Sequence, residues 1–577
     1  MRKLLKFLLS RIVIVSALIL FQLVLLFLAA VRFTEYFVFY YLLSTVFAVV
    51  LTLVIVNRKD GAEYKIAWLV TVLLIPVFGG LLYLIFSGNR MSEHKKRKMA
   101  RINEAMRNTL KTDASPVDAI GEDCPSAGFQ SRYIENTALC PPVGNTDVKY
   151  FPLGDDMFPV FLEELERAEK YIFLEYFIIA EGRMWNTILE ILKRKAAEGV
   201  DVRVIYDDLG CIMLLPRNYA KQLRDLGIRC HVFSRYVPVL NARLNNRDHR
   251  KIGIIDGKVA FTGGINLADE YINEKNRFGH WKDNAVMLRG DAAWSMTVMY
   301  LTMWDYLDKA GAAAQSYEHY RPADYGTPVS GAAGWVQPYT DNPLDSEPVG
   351  QTIYMNMINR AERYVYIMTP YLIIDGQLEA ALCNAARSGV DVRIIMPGVG
   401  DKFIVYETSK SYYENLIRHG VRIYEYSPGF LHAKTFICDD KYATVGTVNL
   451  DFRSLYLHFE CGAWMYRTAV IGDIKADFEN TFPKCREIRL EDCKKSFARE
   501  LFRAVMALIA PMIYTWSGKP CWRSTSYTPT ATALDRLRHR WPGRMGNRTQ
   551  RAGCCAVNSV GSPAVSFPKK RYTFSGY

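Results

Sequence analysis

Residues 167–179 read RAEKYIFLEYFII and residues 360–373 read RAERYVYIMTPYLI, one phrase stated twice: Arg-Ala-Glu followed by a strand-like run of apolar, aromatic and β-branched residues. Two later segments keep the correspondence. EGVDVRVIYDD from Glu198 is matched by SGVDVRIIMPG from Ser388, and LGIRCHVF from Leu226 by HGVRIYEY from His419. Offsets of 190–193 residues held over three separated segments imply two duplicated domains rather than a short-period solenoid. Within each copy the order is apolar strand, helix (about 184–198 and 377–388), Gly-Val-Asp, then a β-branched strand. That alternation predicts an α/β sandwich with a largely buried sheet, the Gly-Val-Asp words being helix-to-strand turns. Two such copies are expected to face each other about a pseudo-twofold axis, so that what each carries at the interface meets its counterpart.

Each copy carries a His-x-Lys-x4-Asp string: HRKIGIID with His249, Lys251 and Asp256, and HAKTFICD with His432, Lys434 and Asp439. If charged residues are about a quarter of a protein, shared by four types, a given His is followed by Lys and Asp at those places roughly once in 256. The nine His of the chain would then give about 0.04 such strings, so two at the same place in the repeat are not coincidence. His and Lys two apart on a strand share a face, whereas an Asp seven after the His is out of phase with both. Asp256-Gly257 and Asp439-Asp440 read as hairpin turns. The candidate catalytic set is therefore His249, Lys251, Asp256, His432, Lys434 and Asp439, with His and Lys in direct chemistry and each Asp fixing the turn or supporting the site.

Each returning strand ends in small residues and then Asn: Gly263-Gly264-x-Asn266 and Gly446-Thr447-x-Asn449. Small residues permit close backbone approach, and an Asn amide can donate to a phosphate oxygen. Asp283 in HWKD and Glu460 in HFEC are isolated acids among apolar or aromatic neighbours, and a carboxylate behind each imidazole would set its tautomer and raise its basicity. His94, His231, His280, His319, His419, His458 and His539 lack such company and read as surface or packing residues, although His280 and His458 lie close to these acids in sequence.

The doubled string is the signature of the phospholipase D superfamily. The chain from residue 36 to 513 resembles bacterial cardiolipin synthases, on WLVTVLLIPVFGGLLYLIFSG, FLEYFII, HRKIGIIDGKVAFTGGINLADEY, TPYLI and HAKTFICDDKYATVGTVNLDFRS. The resemblance implies two phospholipase D-type α/β domains, residues 151–325 and 326–513, acting without a metal or other cofactor. It implies His249 as nucleophile and His432 as general acid/base in a phosphatidyl transfer: one phosphatidylglycerol donates, glycerol leaves, and a second phosphatidylglycerol accepts to give cardiolipin. Hydrolysis of membrane phospholipids, with water as acceptor, is the alternative reading.

The rest of the chain bears on where this happens. At 50% hydrophobic and 23% charged residues over 577 positions, the composition excludes collagen-like, small disulfide-stapled and wholly disordered classes. Residues 12–31, 36–56 and 66–86 contain no Asp, Glu, Lys or Arg and are each long enough to cross a bilayer, so residues 1–88 read as a transmembrane region of two or three spans. Basic clusters flank the block on both sides, Arg2, Lys3, Lys6 and Arg11 before it and Arg90 to Arg101 after it. Three spans would frustrate the positive-inside preference, and an interfacial or re-entrant first run would leave a two-span hairpin. The 12 Cys include no CxxC pair and read as reduced thiols, favouring a cytoplasmic catalytic body on a multi-pass protein of the bacterial plasma membrane.

Residues 89–150 read as a basic juxtamembrane segment and a turn-rich linker. Residues 496–513 read as an amphipathic helix, equally suited to packing or to a membrane surface, and 514–577 as a disordered basic tail. The net charge of +13 suggests nucleic acid until it is located. Residues 1–101 hold 14 basic against 4 acidic residues and 516–577 hold 11 against 1, leaving a body of −7. A nuclease wants a basic groove, so the body argues for phospholipid partners, phosphatidylglycerol first, and against nucleic acid. Both intact strings argue against a non-catalytic scaffold.

Overall fold

The structure, a computed structural model, describes residues 20–28, 34–58, 61–87, 93–111, 116–235, 246–308, 316–345, 347–494 and 496–513. The first copy supplies strands β1 (Thr146–Phe151), β2 (Tyr171–Tyr176), β3 (Asp201–Asp207), β4 (Arg229–Phe233), β5 (Lys251–Ile255), β6 (Val259–Gly263), β7 (His280–Lys282) and β8 (Ala285–Gly290). The second supplies β9 (Trp335–Asp341), β10 (Tyr364–Met368), β11 (Leu372–Ile373), β12 (Asp391–Pro397), β13 (Arg422–Tyr426), β14 (Gly429–Leu431), β15 (Thr435–Cys438), β16 (Tyr442–Gly446), β17 (Leu450–Asp451), β18 (Glu460–Tyr466) and β19 (Cys485–Ile488).

The two main sheets repeat one topology. One has seven strands in the order β1-β8-β6-β5-β2-β3-β4, the other eight in the order β19-β13-β12-β10-β15-β16-β18-β9. The repeated Arg-Ala-Glu phrases lead into β2 and β10, each parallel to the strand after Gly-Val-Asp and antiparallel to the strand that follows His-x-Lys. Helices Arg183–Ala197 and Gly376–Arg387 make the crossovers, where the apolar spacing placed them. One face of each sheet packs on its own helices. The other faces meet in a shared core, Phe173, Ile252 and Ile254 from the first copy with Met368, Ile437 and Val445 from the second, around the buried helix Asp291–Leu307. Burying both inner faces at once is what makes the duplicated α/β architecture one structural unit.

The N-terminal region differs from the expectation of two or three spans. Among the described residues, one helix, Tyr36–Asn57, is long and apolar enough to cross a membrane. The run 66–86 is not a single helix but two, Ala62–Leu74 and Pro76–Phe86. Pro76 lacks an N–H and pushes its predecessor out of the helical region, and Ile75 accordingly sits at φ −134°, ψ 75°. The pieces fold back on the long helix around Trp68, Tyr83, Leu51 and Ile55. A Cβ on Gly80 would lie 2.2 Å from the Phe47 ring, so glycine there is what lets the backbones approach. Of the run 12–31, residues 20–28 are helical and the remainder lies outside the described residues.

The expected linker is also a correction. The described residues of 93–138 form helices Glu93–Leu110, Val117–Asp123 and Pro125–Ala138. The first buries Met99, Ile102 and Met106 in the shared core, and the third packs on β9 and helix Val349–Asn359. Pro116 and Pro125 sit at helix starts, Pro116 as the N-cap of its helix and Pro125 in the first turn of the next, where a missing N–H does no harm. β1 begins at Thr146, so the first domain starts before residue 151. Helix Phe497–Ile513 packs on helix Phe403–Ser411 and on Ala62–Leu74, with Arg499 and Arg503 both on the buried carboxylate of Glu407. Residues 514–577 lie outside the described residues.

Candidate active site

Each catalytic-type histidine sits just before its strand, two residues ahead of β5 for His249 and three ahead of β15 for His432, where the chain crosses to the other copy. The His249 N–H donates to the Phe459 carbonyl at 2.9 Å, and Asp248 bridges Phe459 in parallel. In the second copy β14 pairs in parallel with β7, Leu431 opposite Lys282, and the His432 N–H donates to the Lys282 carbonyl at 2.7 Å. These two short pairings deliver the acids. His249 Nδ1 lies 2.9 Å from Glu460 Oε2, and His432 Nδ1 lies 2.6 Å from Asp283 Oδ2. Each imidazole is thus held by the carboxylate of the opposite copy. Ionised carboxylates only accept, so each Nδ1 carries the hydrogen and each Nε2 keeps its lone pair.

The acids are seated differently in the two copies. Thr447 Oγ1 donates to Glu460 Oε2 at 2.5 Å. At the matching position Gly264 has no side chain, and a Cβ there would fall 1.9 Å from Asp283 Oδ1. The shorter acid therefore enters where the glycine leaves room, and the Asn284 N–H donates to it at 2.9 Å.

Lys251 and Lys434 flank the pair, both 1% exposed. Each ammonium donates to the carbonyl of its own histidine. Lys434 Nζ is also 2.8 Å from His432 Nδ1, but that nitrogen's hydrogen is given to Asp283, so the contact is proximity rather than a hydrogen bond. Burial drives His249 well below the usual imidazole value, Glu460 opposing and Lys251 adding to the drop. Burial and then Lys434 push His432 down to about 4 against the pull of Asp283. Burial likewise lowers Lys251 to about 8 and Lys434 to about 7. It opposes ionisation of both acids too, yet Lys434 and His432 hold Asp283 below the usual carboxylate range, and His249 and His458 hold Glu460 well below it. At neutral pH the imidazoles are neutral and the carboxylates charged.

Asp256 and Asp439 are not brought to the reacting centre. Asp256 accepts the backbone N–H groups of Glu169, Lys170 and Tyr171 at 2.8, 2.7 and 2.8 Å. Asp439 accepts those of Glu362, Arg363 and Tyr364 at 2.7, 2.8 and 2.9 Å. Both sit in left-handed turns, at φ 53° and 55°, at the far end of their strands and roughly 20 Å along the chain direction from the histidines by strand rise. Each ties its hairpin to the Arg-Ala-Glu phrase of its own copy, so the out-of-phase spacing reflects a turn anchor. Asn266 accepts from the Ile178 N–H at 3.0 Å and donates to the Tyr271 hydroxyl at 2.7 Å, which leaves one amide hydrogen for a phosphate. Asn449 is buried at 4% exposure with its side-chain oxygen unpaired.

Three neighbours were not singled out by spacing. The Phe177 ring lies 5.1 Å from that of His249, and the Tyr271 ring 5.6 Å from that of His432. His458, whose nearness to Glu460 in sequence was the one usable signal, sits 5.4 Å ring to ring from His249 with Nδ1 3.4 Å from Glu460 Oε1. Ligand atoms of His249, His458 and Glu460 lie within 4.8 Å of one another, close enough to chelate a cation. Lys251 beside them supplies positive charge that opposes one. His280 instead meets the Tyr426 hydroxyl at 3.0 Å. The nine cysteines among the described residues are free thiols.

Comparison with known proteins agrees with this geometry. Residues 161–282 and 354–482 match the family described as "Cardiolipin synthase, PLD-like domain", and 46–88 match "Phospholipase_D-nuclease N-terminal". The chain is 44% identical over 462 residues to an uncharacterised protein of Streptococcus mutans, covering 80% of this chain and 99% of that one. It is 32% identical to cardiolipin synthase 2 of Bacillus anthracis, covering 81% and 90% of the two chains, and 33% identical to a cardiolipin synthase of Geobacillus kaustophilus, covering 81% and 92%. Among solved structures, phosphatidylserine synthase of Haemophilus influenzae shares the fold at TM-score 0.52 and 14% identity, over 67% of this chain and 98% of that one. Doubled strings, crossed histidine–carboxylate pairs and relatives matched over nearly their whole length lead to one assignment: the chain belongs to the bacterial cardiolipin synthases, phosphatidyltransferases of the phospholipase D superfamily.

Proposed function

We propose that this protein makes cardiolipin from two molecules of phosphatidylglycerol through a phosphohistidine. The observation that carries the reading is the crossed pair, His249 on Glu460 and His432 on Asp283, each with a buried lysine beside it. His249 Nε2 attacks phosphorus, the P–O bond to the terminal glycerol breaks, and His432, which takes up a proton on Nε2 as the phosphodiester anion binds beside it, gives that proton to the departing alkoxide. A second phosphatidylglycerol then gives the proton of its terminal hydroxyl to His432 Nε2. Its oxygen attacks phosphorus, the P–N bond breaks, and cardiolipin leaves.

The electrostatics support the order of events. His432 resists protonation in the empty site, with burial and Lys434 holding it at about 4, and a phosphodiester anion placed against it reverses part of that. The same anion raises Lys434 and Lys251 from about 7 and 8, so substrate charges the groups that stabilise the transition state. Two lysines and the Asn amides supply this stabilisation from the chain itself. The apolar helix 36–57 and its folded-back partners are read as the membrane anchor, and the catalytic domains as cytoplasmic, which suits a substrate that stays in the bilayer.

The test is purified protein in phosphatidylglycerol vesicles carrying a labelled headgroup. Cardiolipin with free glycerol is expected, while phosphatidic acid would replace transfer by hydrolysis. His249→Ala and His432→Ala are each expected to abolish product, and wild-type turnover in either would refute the two-histidine scheme. His432→Ala enzyme given phosphatidylglycerol labelled in its phosphate, and denatured with detergent at mildly alkaline pH to spare the acid-labile P–N bond, is expected to retain phosphatidyl label on His249.

A further inference from the structure

The loops that follow β3 and β12 are equivalent in the repeat, and both carry large apolar side chains outward. After β3 come Leu209, Ile212, Met213 and Leu214, with Met213 89% exposed; after β12 come Val399, Phe403 and Ile404, with Phe403 69% exposed. Neither loop is remote from the chemistry. Asp207 caps the first turn after β3 and accepts the Asp248 N–H at 3.2 Å, one residue from His249. Gly210 lies against the Phe177 carbonyl so closely that a Cβ would fall 2.0 Å from it, and the Phe177 ring borders His249. In the second copy the Gly398 N–H donates to the Gly429 carbonyl at 3.2 Å, at the start of β14, which ends at Leu431 beside His432. Asp401 accepts the Tyr371 hydroxyl at 2.7 Å.

The apolar surface continues from the second loop to the apolar hairpin. The Phe403 ring lies 6.0 Å from that of Phe502 on helix Phe497–Ile513, which itself exposes Phe497, Leu501 and Val505. That helix is fixed by Arg499 and Arg503 on Glu407 and packs on Ala62–Leu74, whose Ile66, Leu73 and Leu74 are exposed in turn. Glu63 at the head of Ala62–Leu74 accepts the Gly376 N–H at 3.1 Å, tying the hairpin to the second domain. Scattered apolar side chains on a protein surface need no explanation, but a continuous set running from a spanning helix to the site does.

Resting on the membrane reading above, we propose that these two loops and helix Phe497–Ile513 form an apolar rim that enters the phospholipid bilayer, seating the site on the lipid headgroups. Exposed cations beside the rim, Lys402 and Arg277, suit an anionic headgroup layer. Because one loop is anchored beside His249, through Asp207 and Asp248, and the other on the strand that leads to His432, through Gly398 and Gly429, the rim brings a headgroup to both imidazoles while its acyl chains remain in the bilayer.

The test uses the full chain in phosphatidylglycerol vesicles with p-benzoylphenylalanine at Met213, at Phe403, or at Glu190 on the flanking helix Arg183–Ala197 as reference. Ile212 and Ile404 replace a position whose protein fails to fold by circular dichroism. After irradiation, lipid adducts by mass spectrometry are expected at 213 and 403 at five times the Glu190 yield or more. Yields at the reference level, an adduct at only one loop, or cross-links to a second copy in place of lipid would each overturn the proposal. The readout needs no turnover, so a failure of the rim and a failure of the transfer reaction are told apart by assaying cardiolipin in the same vesicles.

Discussion

Asp256 offers a clean separation of scaffold from chemistry. Its carboxylate accepts three backbone N–H groups, those of Lys170 and Tyr171 on Oδ1 and that of Glu169 on Oδ2. Asp256→Ala leaves all three without a partner. Hydrogen bonds to a charged group contribute about 1.5–3 kcal/mol each when buried. Only the Tyr171 bond is fully buried, and water can replace part of the other two. Adding about 1 kcal/mol for a left-handed alanine, the loss is about 3–5 kcal/mol, a large part of a domain's margin. Asp256→Asn keeps the two bonds on Oδ1, tolerates the left-handed turn, and turns an NH2 toward the Glu169 N–H, costing about 1.5–3 kcal/mol. At about 2–4 °C per kcal/mol, melting followed by tryptophan fluorescence in detergent is expected to fall by about 6–20 °C for Ala and by about half as much for Asn. Turnover of the Asn variant well below its melting point is expected to match wild type. An Asn variant that melts normally yet has lost a hundredfold or more in turnover would refute the anchoring role and return Asp256 to the chemistry.

Other perturbations address the reacting centre. Glu460→Gln and Asp283→Asn each remove the charge that orients and supports an imidazole in the opposite copy, and are expected to lower kcat by about 10³–10⁴ with little change in KM; equal loss in both constants would point to substrate binding instead. Lys434 and Lys251, at about 7 and 8, hold a proton below those values and lose it above, so KM for phosphatidylglycerol is expected to climb as pH passes from 6.5 to 9. A flat KM over that range would contradict the lysine assignment. EDTA is expected to leave turnover unchanged, whereas Zn2+ is expected to inhibit by bridging His249, His458 and Glu460. His458→Ala is expected to raise the inhibition constant tenfold or more, and unchanged inhibition would place the ion elsewhere.

The features written locally in the chain were legible. Repeated phrases revealed the duplication and the α/β sheet in each copy, and the expected crossover helices, about 184–198 and 377–388, match Arg183–Ala197 and Gly376–Arg387 to within a residue. The phase argument separated Asp256 and Asp439 from the imidazoles because alternation along a strand is a local property. The pairing of Glu460 with His249 was not legible, since it depends on Asp248 meeting Phe459 across the interface, a contact with no local spacing to betray it. The same holds for Thr447 and Gly264 as seats for unequal acids. Proline misled the reading in both directions: Pro76 broke a run that hydropathy alone made continuous, and Pro125 began a helix in what read as a linker. Context decided each case, because the residue's covalent restriction is the same at a helix start and inside a helix.

The charge balance of the site explains how it can be so deeply buried. His249 and His432 are each 7% exposed and the two lysines 1%, a setting in which isolated charges are costly. With neutral imidazoles, the ammonium groups of Lys251 and Lys434 are offset by the carboxylates of Glu460 and Asp283, so the cluster at rest is close to neutral. Crossing the pairs between copies makes that neutrality a property of the interface: pulling the halves apart would leave each imidazole without its acid. A phosphodiester then enters as the unbalanced charge and draws protons onto lysines poised near neutrality. The net −7 of the body is no obstacle to an anionic substrate, because attraction arises from two buried cations whose protonation the substrate itself completes.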